Sequence, residues 1–340
     1  MVTIRDVARS AGVSVATASR VLTGAGPTSE ATRQQVRQAA EELGYRVNKI
    51  ARSLRTQRTD TIGLLIPDVR NPFFAELAYV IEQAAGEHGI AVITMSADER
   101  EDRQAQAMQT LANQQVDGLI VAPQGEQAPR DTDVPLIYVD RGVAGHAVPV
   151  VRSDDADGAA QMIDHLVDIG HRDIALITGP QATTTGSTRR ATATARLTHH
   201  GCTTHAQWVQ EGDFQLESGR QATARILDAD LWPTVIFAAD NLMALGALLE
   251  LGERGLRVGE SIALTGFDDA PWFAALNPPL TVVAQDVPGL GTQALSALRS
   301  LIAGDDVTDI ELPVHLQIRG SCALPTTPAP RETRTTRRST

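Results

Sequence analysis

Apolar positions in the first 45 residues recur at helical spacing and are broken by turn chemistry. Ile4, Val7, Ala8 and Ala11 fall three and four apart, the stripe of an amphipathic helix. Gly12 stands where the chain must turn through positive φ, and Ser14 is placed to cap a second helix. That helix keeps Val13, Ala18, Val21 and Leu22 for packing and leaves Val15, Ala16, Thr17, Ser19 and Arg20 on or near its outer face. Ser29 opens a third helix, lined by Val36, Ala39, Ala40 and Leu43 and ended by Gly44. Three helices in about 45 residues are close to the smallest unit that folds alone.

From Thr61 the pattern changes to short apolar runs alternating with amphipathic stretches. The runs predict strands at Ile62–Ile66, Ala91–Thr94, Gly118–Val121, Leu136–Val139, Ile174–Ile177, Val235–Ala238 and Ile262–Thr265. Between them, helices are predicted at Phe74–Glu87, Arg103–Gln114, Gly158–Leu166, Leu216–Leu227 and Ala244–Arg254. Such alternation implies parallel sheets covered on both faces. A strand-rich break near Val150–Asp157 suggests two such layers with a ligand cleft between them. The connector from Tyr45 to Thr61 is basic and could form about two turns of helix, with Ile50, Ala51 and Leu54 on one side. Residues 325–340 are rich in Pro, Thr and Arg and are expected to be disordered, without leucine heptads for a coiled coil.

Charge divides the chain in the same place. Residues 1–60 carry ten basic and five acidic side chains, a net +5, which against −11 for all 340 residues leaves the remainder at −16. A basic head on an acidic body suits a protein that touches phosphates at one end. The outer face of the second helix has the matching chemistry: short side chains allow close approach to a major groove, and Arg20 can reach a guanine edge. An ordinary helical hairpin would show the same pattern.

Enzyme signatures are missing. Pro67-Asp68 stands where a dinucleotide-binding glycine loop would follow the first core strand. Lys49 is the single lysine, which excludes a phosphate-binding loop and a Schiff base in the core, and no Gly-x-Ser-x-Gly elbow occurs. His199, His200, Cys202 and His205 match no standard zinc spacing, and Cys202 and Cys322 form no paired motif, so neither a metal nor a cofactor is expected. With no apolar run for a signal peptide or membrane span, the expected compartment is the cytoplasm.

Several short stretches, in order and spacing, carry a family resemblance. They are the head Thr3–Leu22, the segment Asn48–Leu54, Asn71-Pro72-Phe73-Phe74, Val139-Asp140-Arg141 and Gly170-His171-Arg172-Asp173. Ala239-Asp240-Asn241, Gly266-Phe267-Asp268-Asp269 and Pro278-Pro279-Leu280-Thr281 complete the set. The chain resembles the lactose-repressor (LacI-type) family of bacterial transcription regulators from Thr3 to about Leu324. That resemblance implies an all-α helix-turn-helix head at 1–46, a hinge helix or linker at 47–60, and an α/β effector-binding and dimerisation core at 61–324. The core would hold two doubly wound parallel-sheet subdomains of the periplasmic sugar-binding type, one about 61–155 with 287–314, the other about 156–286 with 315–324.

By the same resemblance, Val15, Ala16 and Arg20 meet base edges, while Thr3, Ser14, Thr17, Ser19, Tyr45 and Asn48 contact phosphates. Capping alone accounts equally well for Thr3 and Ser14. Leu54 would be a minor-groove wedge, paired with its copy from a second subunit. Asn71, Phe73, Phe74, Asp140, Arg141, Arg189, Asp240, Asp268 and Gln285 would contact a sugar, the aromatics meeting its C–H faces and the charged groups its hydroxyls. Asn71-Pro72 as a helix cap and Asp268-Asp269 as a turn are the plainer alternatives.

Two departures from the family pattern stand out. Asp240-Asn241 reverses a frequent Asn-Asp order, and Thr192-Ala193 replaces a Gly-aromatic pair, with Phe214 and Trp272 as candidate substitutes for the lost aromatic surface. The implied function is a homodimeric repressor on an inverted-repeat operator in double-stranded DNA, released by a sugar or sugar derivative. A purine or protein co-repressor, or a cytoplasmic sugar-binding protein without a regulatory role, are the alternatives.

Overall fold

The computed structural model describes residues 2–23, 27–45, 58–125, 134–143, 145, 147–202 and 205–326. These fall into two compact units, Met1–Thr59 and Asp60–Thr340.

The first unit is a cluster of three helices, α1 (Ile4–Ser10), α2 (Val15–Thr23) and α3 (Glu30–Glu42). Its core is Val7, Ala8, Ala11, Ala18, Val21, Val36, Ala39 and Ala40, with Ile4, Val13, Leu22 and Tyr45 packed against it. Small side chains let the helices approach closely, and Gly12 makes the turn between α1 and α2 at φ 62°. Asn48 and Leu54 lie outside the described residues, as does the tail from residue 327.

The second unit contains two six-stranded sheets. In the first, β1 (Thr61–Ile66), β2 (Ala91–Ser96), β3 (Gly118–Val121), β4 (Leu136–Val139), β5 (Val150–Ser153) and β11 (Ile310–Leu312) run in the order β11-β5-β4-β3-β1-β2. Every neighbouring pair is parallel; Ile62, for example, lies beside Val92 on one side and Gly118 on the other. Helices α4 (Pro72–Glu87) and α10 (Val287–Ala303) cover one face through Leu77, Ile81, Leu290 and Leu298. On the other face α5 (Glu101–Asn113) contributes Ala107, Met108 and Leu111.

The second sheet repeats this plan with β6 (Ile174–Thr178), β7 (Val209–Glu211), β8 (Val235–Ala238), β9 (Ala263–Phe267), β10 (Thr281–Gln285) and β12 (Val314–Gln317). Its order is β12-β10-β9-β8-β6-β7, and only the edge strand β12 is antiparallel, with Val314 opposite Gln285. Helices α6 (Asp155–Asp168) and α7 (Thr184–His199) cover one face, α8 (Leu216–Leu227) and α9 (Asn241–Glu253) the other. A Cβ on Gly246 would lie 2.0 Å from the Leu216 carbonyl oxygen, so only glycine lets α8 and α9 pack at this separation.

The chain passes between the lobes three times: at Asp154 between β5 and α6, at Asp286 between β10 and α10, and at Pro313 between β11 and β12. Asp154 and Asp286 share nearly one backbone geometry (φ −74°, ψ 81° and φ −81°, ψ 76°), and each carboxylate caps the helix that follows. The Asp157 amide donates to Asp154 and the Gly289 amide to Asp286.

The apolar pattern found the central strands but missed some elements. Helix α7 is rich in threonine, a weak helix former, and only Ala193 and Leu197 give it buried apolar side chains; packing on α6 holds it. Strands β7, β11 and β12 have three or four residues, too few to show a period of two.

Candidate functional site

On the head, α2 presents Val15 (44 % exposed), Ala16 and Arg20 to solvent, while Ala18 and Val21 face the core. The arginine Nε reaches back to the Ala16 carbonyl at 3.4 Å and leaves the rest of the guanidinium outward. Thr3 and Ser14 both work as caps. The Thr3 amide and hydroxyl donate to the Asp6 carboxylate at 3.0 and 2.7 Å, holding that carboxyl below its ordinary range. Ser14 Oγ accepts from the Thr17 amide at 3.0 Å and pairs with the Thr17 hydroxyl at 2.8 Å. Tyr45 is half-buried against the head core, and Ser19 is partly exposed.

In the second unit, eight of the nine predicted cleft residues line one cavity between the lobes. From the first lobe come Asn71, Phe73 and Phe74 at the start of α4, with Asp140 and Arg141 after β4. From the second come Thr185 and Arg189 on α7, Phe214 before α8, and Asp240 and Asp268 at the ends of β8 and β9. These are carboxyl ends of parallel strands, where ligands of open α/β sheets bind. Gln285 is not in the wall. It donates through Nε2 to Asp268 Oδ1 at 2.6 Å and so orients that carboxylate.

Asn71 caps a helix and also lines the cleft. Its side chain accepts from the Phe73 amide as the cap of α4, with Pro72 in the first turn, and its amide faces the opposite lobe. There it accepts from Asn241 Nδ2 at 3.0 Å and donates to Asp240 Oδ2 at 3.5 Å. Gln215 to Asp68 at 3.3 Å and the Gly142 amide to Thr184 Oγ1 at 3.0 Å are further bonds between lobes. The cleft is therefore drawn shut by direct polar contacts.

Each lobe neutralises its own arginine. Arg141 forms a two-pronged pair with Glu99, both bonds 2.9 Å, beneath the ring of Phe214 at 4.6 Å. Arg189 donates to Asp155 at 2.6 Å and to the Ala239 carbonyl at 2.8 Å, stacked on Phe267 at 3.5 Å. The neighbouring Arg190 turns outward toward Glu211, so of the two adjacent arginines only Arg189 faces the cleft. Burial raises the Asp140 carboxyl to about 7, although Arg141 and Arg189 pull it down. Burial and the nearby Asp268 raise Asp240 to about 8.

The residue pattern alone missed Glu99, Asp155, Thr185 and Asn241. Glu99 sits in a loop where Asp98 and Glu99 both take positive φ (58° and 53°), a conformation the sequence does not announce. Trp272 does not replace the lost aromatic: it lies 41 % exposed on the short helix Pro271–Ala275, whereas Phe214 does enter the wall. His200 is hydrogen-bonded to Asp164 and His205 lies against Trp208, so these histidines serve separate local contacts.

Residues 3–48 match the family described as bacterial regulatory proteins, lacI family, and residues 59–319 match periplasmic binding proteins and sugar binding domain of LacI family. The chain belongs to the LacI family. Among its relatives, catabolite control protein A of Priestia megaterium is 32 % identical over 94 % of this chain and 99 % of its own. The HTH-type transcriptional repressor PurR of Pasteurella multocida (strain Pm70) is 31 % identical, over 94 % and 98 %. In structure, the lac repressor dimer bound to operator and the anti-inducer ONPF superimposes with a TM-score of 0.82 at 32 % identity, covering 95 % of this chain and 99 % of that one. This LacI-family chain is accordingly a DNA-binding transcriptional regulator and not an enzyme. No helix among its described residues is long and apolar enough to cross a membrane.

Proposed function

We propose that this regulator is a cytoplasmic, homodimeric repressor that holds an inverted-repeat operator and releases it when a small polyhydroxylated effector, a sugar or sugar derivative, occupies the cleft. The head (1–46) reads base edges through Val15, Ala16 and Arg20 and anchors to phosphates through Thr3, Ser14, Thr17, Ser19, Tyr45 and Asn48. Within the linker (47–60), Leu54 is the minor-groove wedge. The core (61–324) receives the effector on Asn71, Phe73, Phe74, Asp140, Arg141, Arg189, Asp240 and Asp268, with Gln285 positioning Asp268.

The observation that carries this reading is the cleft itself. Buried carboxylates, guanidiniums and amides from two lobes face one another across one narrow space. The space is narrow in this closed arrangement, so a small, hydroxyl-rich molecule enters as the lobes part. The three chain crossings at Asp154, Asp286 and Pro313 let the lobes change their relative angle as the cleft fills. The matched core family is described as sugar-binding and one relative is named PurR, so sugars and purines both enter the test.

An operator selected from palindromic DNA libraries with the full-length protein, followed by calorimetry against monosaccharides, disaccharides and purines, tests the reading. A sugar that binds and weakens operator affinity supports it. A purine that binds and tightens operator affinity, or DNA capture without sequence preference, overturns it.

A further inference from the structure

We propose that the effector carries a protonated amine, an amino-substituted polyol whose ammonium group lies against Asp240. This rests on the effector reading above and narrows it. Three carboxylates, those of Asp140, Asp240 and Asp268, line the cavity, and two more, Glu99 and Asp155, pair with its two guanidiniums. Both guanidiniums are committed: Arg141 to Glu99 through two bonds, Arg189 to Asp155 and a backbone carbonyl. Arg141 keeps one buried donor, Nε, without a hydrogen-bond partner, but its two terminal nitrogens are on Glu99. It therefore offers no two-pronged fork, and the charge balance of the cleft disfavours an anionic effector.

Among the described residues Asp240 forms no ion pair, although the charge of Arg189 acts on it from a distance. Its Oδ1 accepts from the Met243 amide as the cap of α9, at 2.8 Å, and its Oδ2 meets only the Asn71 amide, at the 3.5 Å limit of a hydrogen bond. The side chain is buried and lines the cavity. Beside it Asn241, 2 % exposed, leaves its amide oxygen Oδ1 without any hydrogen-bond partner. Buried acceptors left open in this way call for a donor that brings positive charge. An ammonium group has three donors and no acceptor, and it would supply both. Among the described residues no cluster of carboxylates, histidines or cysteines converges tightly enough to hold a metal ion, which leaves an organic cation. Burial favours the protonated form of both carboxyls, raising Asp240 to about 8 and Asp140 to about 7.

The test is calorimetry on the full-length protein at pH 7 with glucosamine, galactosamine and mannosamine, each beside its hydroxyl parent and its N-acetyl derivative. At least one amine is expected to bind ten-fold or more tighter than both of its neutral counterparts. Asp240→Asn, which keeps a capping side chain for α9, is expected to reduce that preference below three-fold. A second measurement does not depend on the variant: repeating the titration in buffers of different ionisation enthalpy should show proton release with the amine and none with the parent. Equal or tighter binding of the neutral sugars, or no binding by any amine, overturns the proposal. Operator release is scored separately, so an amine that binds yet leaves operator affinity unchanged counts against the effector reading and not against the amine.

Discussion

Asp140 and Asp268 occupy the same place in the two lobes. Each follows the fourth strand of its sheet in chain order, β4 or β9, each takes positive φ (65° and 66°), and each donates its amide to the carbonyl of a valine on the next strand, Val151 or Val283, at 2.8 Å. The cleft is thus lined by one strand-end device used twice, facing itself across the gap. Positive φ disfavours a side chain with a Cβ but is tolerated by Asp and Asn. Asp140→Asn and Asp268→Asn are therefore expected to be more stable than the corresponding Ala variants by about 1 kcal/mol in urea unfolding. Equal stability of the Asn and Ala variants at both sites would remove backbone strain from the account.

Stability of the effector-free protein is expected to fall as pH rises. Asp140 and Asp240 titrate near 7 and 8 in the fold against an ordinary 3.8, so between those values the folded state holds protons that the unfolded chain has lost. Their contribution is complete below about pH 3.8 and is lost as pH climbs through 7 and 8. Calorimetric Tm measured from pH 6 to 8.5 should decline, and Asp240→Asn should flatten the upper part of that decline. A Tm that rises over this range would contradict the electrostatic description of the cleft.

Removing Arg189 leaves Asp155 buried without its charge partner. Breaking a buried pair in this way costs about 3–5 kcal/mol, so Arg189→Met should lose that much in denaturant unfolding. Combining it with Asp155→Asn should recover part of the loss, because the orphaned charge is gone. Additive losses in the double variant would show that the two side chains act independently.

At the DNA end, Arg20→Ala is expected to cost about 1–3 kcal/mol of operator affinity and to relax the preference at one base pair per half-site. Effector binding should be unaffected. A uniform loss across all DNA sequences would instead make Arg20 a phosphate contact.

Much of this arrangement is legible from the residues because strong local rules coincide with it. Val235–Ala238 is a wholly buried central strand and reads as one; Asn71-Pro72 is a helix start and is one. Arg189 and Arg190 cannot be told apart in sequence, since the choice depends on the rotation of α7 as set by its packing on α6. Glu99 and Asp155 were invisible for a related reason: each matters only through the arginine it meets, 42 and 34 positions away. Trp272 shows the opposite error, an aromatic residue close to Asp268 in sequence that faces solvent.

The central claim is that one ligand and one DNA site are coupled through this chain, and coupling of that kind must be reciprocal. The direct measurement is operator affinity with and without saturating effector, set beside effector affinity with and without saturating operator, in one buffer at fixed salt. The account predicts that effector weakens operator binding ten-fold or more and that operator weakens effector binding by the same factor. Operator affinity that stays the same whether the cleft is empty or filled would contradict it.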